Sequence, residues 1–276
     1  MSLLSRERAL VALAPGALAI ARPGPAARAQ AVRSRTVACE PAAGQESWRS
    51  AAAALAPVAA SLRDENVDVT VVLSNHFVRY ALVAPDAKLE TAEEELAFAR
   101  YCFARIHGER SAAWQVRLDR GGGAARLASA VDDGLLRALR DCFKTGARAR
   151  LVSVQPYLMA AFNRWRQRLR AASAALLLVE PGRACVAHLR SGRWTAVRSA
   201  RGSFGGAPEW AQFLERERQL DADTGTPPEV LVHAPSPAGS LSSAAGDWRF
   251  KPVADPGEAG PASRLDAYSA MAMCAS

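Results

Sequence analysis

The sequence predicts an α/β fold built twice, as two subdomains that each hold a mixed sheet flanked by helices. An internal echo is the first observation behind this. Residues Ala9 to Arg35 (ALVALAPGALAIARPGPAARAQAVRSR) and Ala175 to Arg201 (ALLLVEPGRACVAHLRSGRWTAVRSAR) share an order of features. Each opens with an apolar run, breaks at Pro-Gly (Pro15-Gly16, then Pro181-Gly182), resumes, and turns again at Gly24 or Gly192. Each closes on the same tetrapeptide, Ala31-Val32-Arg33-Ser34 and Ala196-Val197-Arg198-Ser199. Proline presets φ and glycine accepts positive φ, so these dipeptides are turn formers. Short apolar runs between such turns read as strands, giving a three-stranded meander in each copy.

The second observation is that the same two elements come after each copy. The first is succeeded by a helical stretch, Gln45 to Arg63, and a β run, Val67 to Leu73. The second is succeeded by a helix, Pro208 to Leu220, and a β run, Pro228 to Ala234. Pro208 suits a first helical turn, where its missing N–H is not needed. Copies about 165 residues apart are too distant for a solenoid and imply two related subdomains. We place them at residues 1–172 and 173–276.

Between the copies, His76 to Val83 is expected to be a strand pairing back on Val69 to Leu73 across Ser74-Asn75. Thr91 to His107 is a helix: Thr91 and Glu94 form a capping box, acidic residues fill the first turn, and Gly108 stops it. Trp114 to Asp119 and Ala125 to Val131 form a hairpin around Gly121-Gly122-Gly123. With strands on both sides and no helix after it, this triple glycine is a turn and not a phosphate loop. Asp132 caps a helix to about Lys144, ended by Gly146, and Leu151 to Val154 is a strand. Gln155-Pro156 leads into a helix from Tyr157 to Ala172. In the second half, Ala222 to Thr226 and Ser236 to Gly246 are connectors, Trp248 to Val253 is a strand, and Arg264 to Cys274 is a terminal helix.

The chain has 276 residues, half of them hydrophobic and 22% charged, as in soluble globular proteins. No apolar run reaches the ~18 residues needed to span a bilayer. Arg6 and Arg8 before Ala9 to Ala21, with Ala27-Arg28-Ala29 beyond, imitate a secretory signal. Against that reading, Pro15-Gly16 interrupts the run, Arg22 and Arg28 follow it, and the pattern recurs at residue 175. A retained strand pair is expected, with a cleaved signal as the competing reading. The five cysteines (Cys39, Cys102, Cys142, Cys185, Cys274) form no C-x-x-C pair, so neither a zinc site nor a disulfide framework is indicated. His76, His107, His188 and His233 lack metal-ligand spacing, and no metal site is expected.

The net charge of +8 comes from 35 basic and 27 acidic residues, a balance that can favour nucleic acid or an anionic surface. The densest cluster is Arg164, Arg166, Arg168 and Arg170, around Trp165. Arginines two apart splay around a helix, so a solvated face is expected rather than a nucleic-acid groove. Asp132-Asp133 are adjacent at a helix start and do not face each other, so they read as a cap. Gly202-Ser203-Phe204-Gly205 lacks the spacing of a nucleophile elbow.

Three segments carry a resemblance to a known family: Leu176 to Arg201, Arg201-Gly202-Ser203-Phe204-Gly205-Gly206 before a helix, and Asp132 to Arg164. Together with the order of elements along most of the chain, they resemble the actin-like ATPase superfamily, whose fold is ribonuclease H-like. The similarity is greatest to the type IV pilus assembly proteins of the PilM family and the cytoplasmic domains of GspL-type secretion proteins. In nucleotide-hydrolysing members, each half opens with a hairpin whose turn carries Asp-x-Gly, holding phosphate and orienting a hydrated metal. Here Ala14 stands at the first Asp position and Glu180 at the second. The hydroxyl residues expected after the glycines are replaced by Ala17, Leu18 and Ala19, and by Arg183, Ala184 and Cys185. His233-Ala234-Pro235-Ser236-Pro237 stands where an adenosine-contacting Gly-Gly turn belongs.

The residual nucleotide-site candidates are therefore Gly16, Glu180, Gly182, Gly205 and Gly206, with no catalytic residue assigned and no cofactor expected. The resemblance implies a non-catalytic cytoplasmic scaffold at the inner face of the membrane, in a pilus or type II secretion-like assembly. It would bind a short cytoplasmic peptide of a membrane-anchored component between its subdomains, and it leaves self-association open. Two rivals stand beside this reading. One is an active nucleotide-binding protein that uses Mg-ATP in an altered site around Glu180 and Gly205-Gly206. The other is a nucleic-acid-binding protein that uses the arginines around Trp165.

Overall fold

Two apolar strand pairs with Pro-Gly turns anchor two sheets in the computed structural model, which describes residues 6–24, 32–40, 47–86, 88–119, 125–144, 148–170, 173–220, 229–234, 243–253 and 266–276. In the first half, β1 (Glu7–Ala14), β2 (Ala17–Arg22) and β3 (Arg33–Ala38) form the meander. Next come α1 (Arg49–Leu62) and β4 (Val67–Leu73). The second half repeats this with β9 (Ala174–Glu180), β10 (Arg183–Arg190), β11 (Arg193–Arg201), α5 (Ala207–Leu220) and β12 (Glu229–His233). With β8 (Arg150–Pro156) added, the first sheet runs β3-β2-β1-β4-β8. The second runs β11-β10-β9-β12-β14-β13, with β13 at Ser243–Ala245 and β14 at Trp248–Pro252. In both sheets the first hairpin is antiparallel and the next two neighbours are parallel: β1 with β4 and β4 with β8, then β9 with β12 and β12 with β14.

The shared tetrapeptide does not mark equivalent positions. Gly16 accepts a bond from Cys39 N–H at 3.1 Å, and Gly182 accepts the matching bond from Gly202 N–H at 3.2 Å. These bonds equate Arg35 with Arg198, because Arg35 pairs with Ile20 and Arg198 with Val186. Arg33 therefore lies two residues out of step with Arg198. The slip keeps the same side of the sheet, so the alternating pattern conceals it.

Both faces of β1 and β4 are covered, which is why their sequences are nearly unbroken apolar runs. Ala9, Val11 and Leu13 pack with Ala51, Leu55 and Leu62 of α1 and with Leu135 and Leu139 of α3 (Asp133–Cys142). Leu10, Ala12 and Ala14 face the opposite way, into a core shared with α4 (Tyr157–Trp165) and with Leu176, Leu178, Cys185 and Ala187 of the second sheet. The other face of the second sheet is closed by Trp210, Phe213 and Leu214 of α5. A third, three-stranded sheet, β5-β7-β6, carries α2 (Ala92–His107) on one side. Its strands are β5 (Val78–Val83), β6 (Trp114–Leu118) and β7 (Arg126–Asp132).

Local signals survive well. Thr91 and Glu94 make the capping box of α2, and Asp132 Oδ1 accepts from Gly134 N–H at 2.8 Å to start α3. The β6–β7 pairing is as expected, while its triple-glycine turn lies outside the described residues. Three expectations give way to tertiary structure. His76 to Val83 does not pair with β4, whose edges are occupied by β1 and β8; β5 pairs with β7 instead. The helix begun at Tyr157 ends at Trp165, and a 3-10 turn at Arg168–Arg170 follows, which puts Leu169 in the core and lays Arg170 over the glycine of the β10–β11 turn. The connector read over Ser236 to Gly246 lies partly outside the described residues, and its end forms the short edge strand β13. The last helix, α6 (Ala267–Met273), follows the second half in sequence and packs against β1 and β2 of the first.

Candidate functional site

The turn between β9 and β10 meets the residues just after β4 and so joins the two halves. Glu180 is almost wholly buried there. Its Oε1 accepts from Asn75 N–H at 3.0 Å, and its Oε2 accepts from the Ser74 hydroxyl. Tyr80 Oη donates to Asn75 Oδ1 at 2.8 Å, and His76 Nε2–H donates to the Pro181 carbonyl at 3.0 Å. Burial raises the Glu180 carboxyl to about 7, against the opposing pull of Ser74, Asn75 and Arg183. His76 is held below the usual imidazole range by burial, opposed by the Pro181 carbonyl and helped by the charges of Arg183, Arg201 and Arg79.

The sequence-derived candidates fall at different places around this junction. Glu180, Gly182 and Gly205 line a cavity of about 240 Å³ with Ser203, Phe204 and Trp210. Gly182 has φ +76°, the left-handed geometry the turn needs. Gly206 starts α5 by accepting from Trp210 N–H at 3.2 Å and is not on the cavity wall. Glu209 Oε2 lies 3.7 Å from where a Cβ on Gly206 would sit, so the first turn of α5 already has a carboxylate beside it. Gly16 is held in the β1–β2 turn by Cys39 and is likewise absent from the cavity wall.

A metal-bound nucleotide needs carboxylates free to face the hydrated ion. Ala14 offers none, and both oxygens of Glu180 are engaged by Ser74 and Asn75. Among the described residues, no group of three or more His, Cys, Asp or Glu is placed to hold a metal ion. The arginines around Trp165 point several ways: Arg164 donates to the Met273 carbonyl at 2.6 Å, and Arg170 rests on the β10–β11 turn.

A second concavity went unseen in the sequence. Strand β8 is the last strand of the first sheet and β6 the last of the small sheet, and the two edges face a groove of about 450 Å³. Leu73, Leu118, Leu127, Val131, Leu136 and Met159 give it an apolar wall, while Gln115, Arg117, Asp119 and Arg140 supply polar groups. Val152 on β8 is 55% exposed and lines it. An open strand edge beside apolar pockets can take an extended segment as an added strand. The available signal was Val152 itself, a β-branched residue in a strand with no assigned partner.

Across 97% of both chains, the structure superposes on the PilM–PilN type IV pilus biogenesis complex with a TM-score of 0.66 at 16% identity. It also matches the cytoplasmic domain of EpsL, an inner membrane component of the type II secretion system of Vibrio cholerae, with a TM-score of 0.58. That match covers 98% of this chain and 94% of the other at 15% identity. A Bacteroides thetaiotaomicron protein with an actin-like ATPase fold and unknown function matches at a TM-score of 0.54 and 13% identity, over 83% of this chain and 82% of that one. The chain has the actin-like fold. No protein-family model matches the sequence, and no curated protein does. The β-β-β-α-β order expected twice is present in both halves, with the small β5-β7-β6 sheet inserted between β4 and α3. Among the described residues, no helix is long and apolar enough to cross a membrane.

Proposed function

We propose that this actin-like protein is a non-catalytic scaffold of a pilus or type II secretion-like assembly, working at the cytoplasmic face of the membrane. It holds an extended cytoplasmic segment of a membrane-anchored partner in the groove between β6 and β8. That groove lies within residues 1–172 and not, as the resemblance implied, between the two subdomains. The observation that carries this reading is the groove itself, a strand edge with no pairing partner among the described residues and with Val152 exposed beside an apolar wall. Whole-chain similarity to the EpsL cytoplasmic domain and the PilM–PilN complex supports the setting. The state of Glu180 supports the loss of nucleotide chemistry, since its oxygens serve to fasten the two halves together.

The competing reading is an altered nucleotide site in the cavity bounded by Glu180, Gly182 and Gly205. At about 240 Å³ that cavity falls below the range of ~300–1,000 Å³ usual for small-molecule sites. Calorimetry and a phosphate-release assay with Mg-ATP separate the two readings. The expected outcome is no turnover above background and no tight magnesium-dependent binding. Tight binding that a Glu180→Ala variant abolishes would favour the nucleotide reading.

A further inference from the structure

Two guanidinium groups share the face of the second sheet that looks toward the first half, and a third lies close enough to feel the charge of both. Arg183 and Arg201 are direct cross-strand partners in β10 and β11 and so point to the same side. That side is the one carrying Cys185 and Ala187 into the shared core, opposite the α5 face lined by Ala184 and Val186. The third group, Arg79, comes from β5, which packs against β11. Like charges set directly opposite one another on a sheet are destabilising, and burial makes the repulsion worse. Arg183 is only 5% exposed, and its Nε has no hydrogen-bond partner.

Among the described residues, none of the three arginines forms an ion pair with a carboxylate. Glu180 is the acidic group that acts on Arg183, and its oxygens are taken by Ser74 and Asn75. Glu209 and Glu215 share a surface groove with Arg201 without pairing to it. Arg79 directs Nη1 to the carbonyls of His76 and Val78, at 3.1 and 3.0 Å. Burial and the charges of Arg183 and Arg201 depress Arg79 to about 10, so it remains a cation at neutral pH. Tyr80 and Cys185, the other titratable neighbours of Arg183, are pushed upward by burial and stay neutral. Pro181, Gly182, Arg201 and Gly202 are exposed, so the cluster opens to solvent.

We propose that Arg79, Arg183 and Arg201, with His76 beside them, form a metal-free binding site for a small phosphate-class oxyanion. Forked donors arriving from three strands suit a tetrahedral anion, which offers several acceptor edges, better than a single carboxylate. The site differs from an actin-like nucleotide site in using side-chain cations on the β5-facing side of the sheet, without a carboxylate-bound metal. It is also separate from the β6–β8 groove, so it stands or falls independently of the scaffold reading.

The test is titration of the full chain with inorganic phosphate and pyrophosphate in chloride buffer without magnesium, followed by calorimetry and by the His76 ring resonances. Saturable one-site binding is expected, with the His76 pKa rising as the anion arrives. Arg201→Ser and Arg183→Met are each expected to weaken binding about tenfold or more, the scale of a lost charge-assisted bond. Arg201 is exposed, so its variant folds; without phosphate its melting temperature should equal or exceed that of the parent, because repulsion is relieved. A Tyr101→Ser variant, at an exposed position of α2, should bind phosphate unchanged. Absence of saturable binding, or equal binding by the arginine variants (an adventitious ion only), overturns the proposal. So does binding seen solely with Mg-ATP and lost in Glu180→Ala, which would place the anion in the cavity beside α5.

Discussion

Ending the chain at residue 265 is expected to abolish cooperative folding, although it removes only eleven residues, 266–276, from the far end of the sequence. Those residues hold α6, whose Met271, Ala272 and Met273, with Cys274 after it, are buried in the core shared by both sheets. The helix lies on β1 and β2, so its loss would bare one face of the central strands of the first half. Truncating a single buried Met to Ala costs about 2–5 kcal/mol, against a whole-domain stability of about 5–15 kcal/mol. Two buried methionines and a capped helix therefore account for much of the net stability. Expression and thermal melts of the truncated chain check this, with Met271→Ala as the milder variant expected to fold at reduced stability. A truncated protein that melts like the full chain would show that α6 does not dock on the first sheet.

Stability is expected to fall with rising pH through the titration of Glu180. Burial raises its folded-state value to about 7 from 4.5, so the folded protein holds a proton that the unfolded chain has released. The contribution is complete below pH 4.5 and is lost as pH climbs through 7, about 3 kcal/mol in all at ~1.4 kcal/mol per unit. His233, held at about 4 by burial, and His76, also lowered, act in the opposite direction below pH 6.5. A Glu180→Gln comparison removes the histidine part. Urea unfolding of both proteins between pH 4.5 and 8 should show their stability difference changing by about 3 kcal/mol, to the relative disadvantage of wild type at high pH. A constant difference would mean that the carboxyl is ionised throughout in its pocket.

The sequence announced what is local and hid what is assembled. Pro15-Gly16 and Pro181-Gly182 were legible as hairpin turns because proline and glycine act through their own backbone angles, and both turns stand where expected. The Thr91–Glu94 box and the Asp132 cap were legible for the same reason: donor and acceptor lie within three residues. The tetrapeptide echo misled, since an Ala- and Arg-rich chain repeats such strings by chance and a two-residue slip leaves the strand pattern intact.

At the site, Glu180 could be found as the residue in place of an acidic position, but not its use. Its partners Ser74 and Asn75 come from about a hundred residues away, and that dipeptide looked like a hairpin turn. Arg79, Arg183 and Arg201 converge only once β5 leaves β4 for β7 and packs on β11, a pairing decided by which strand edges are free. The β6–β8 groove was invisible for a similar cause: it exists between two sheet edges, and neither edge alone has a sequence signature.

The central claim is that the β6–β8 groove, and not a nucleotide pocket, is the working surface. Its most direct test is amide hydrogen exchange on the full chain, with and without a synthetic peptide matching the cytoplasmic tail of the membrane-anchored pilus or secretion component. New protection is expected at the β8 amides around Val152 that do not already bond to β4, with loss of that protection and of binding in Val152→Arg, whose charge would be set against the apolar wall. Binding that leaves the β8 amides exchanging as before, or that survives Val152→Arg, would contradict it.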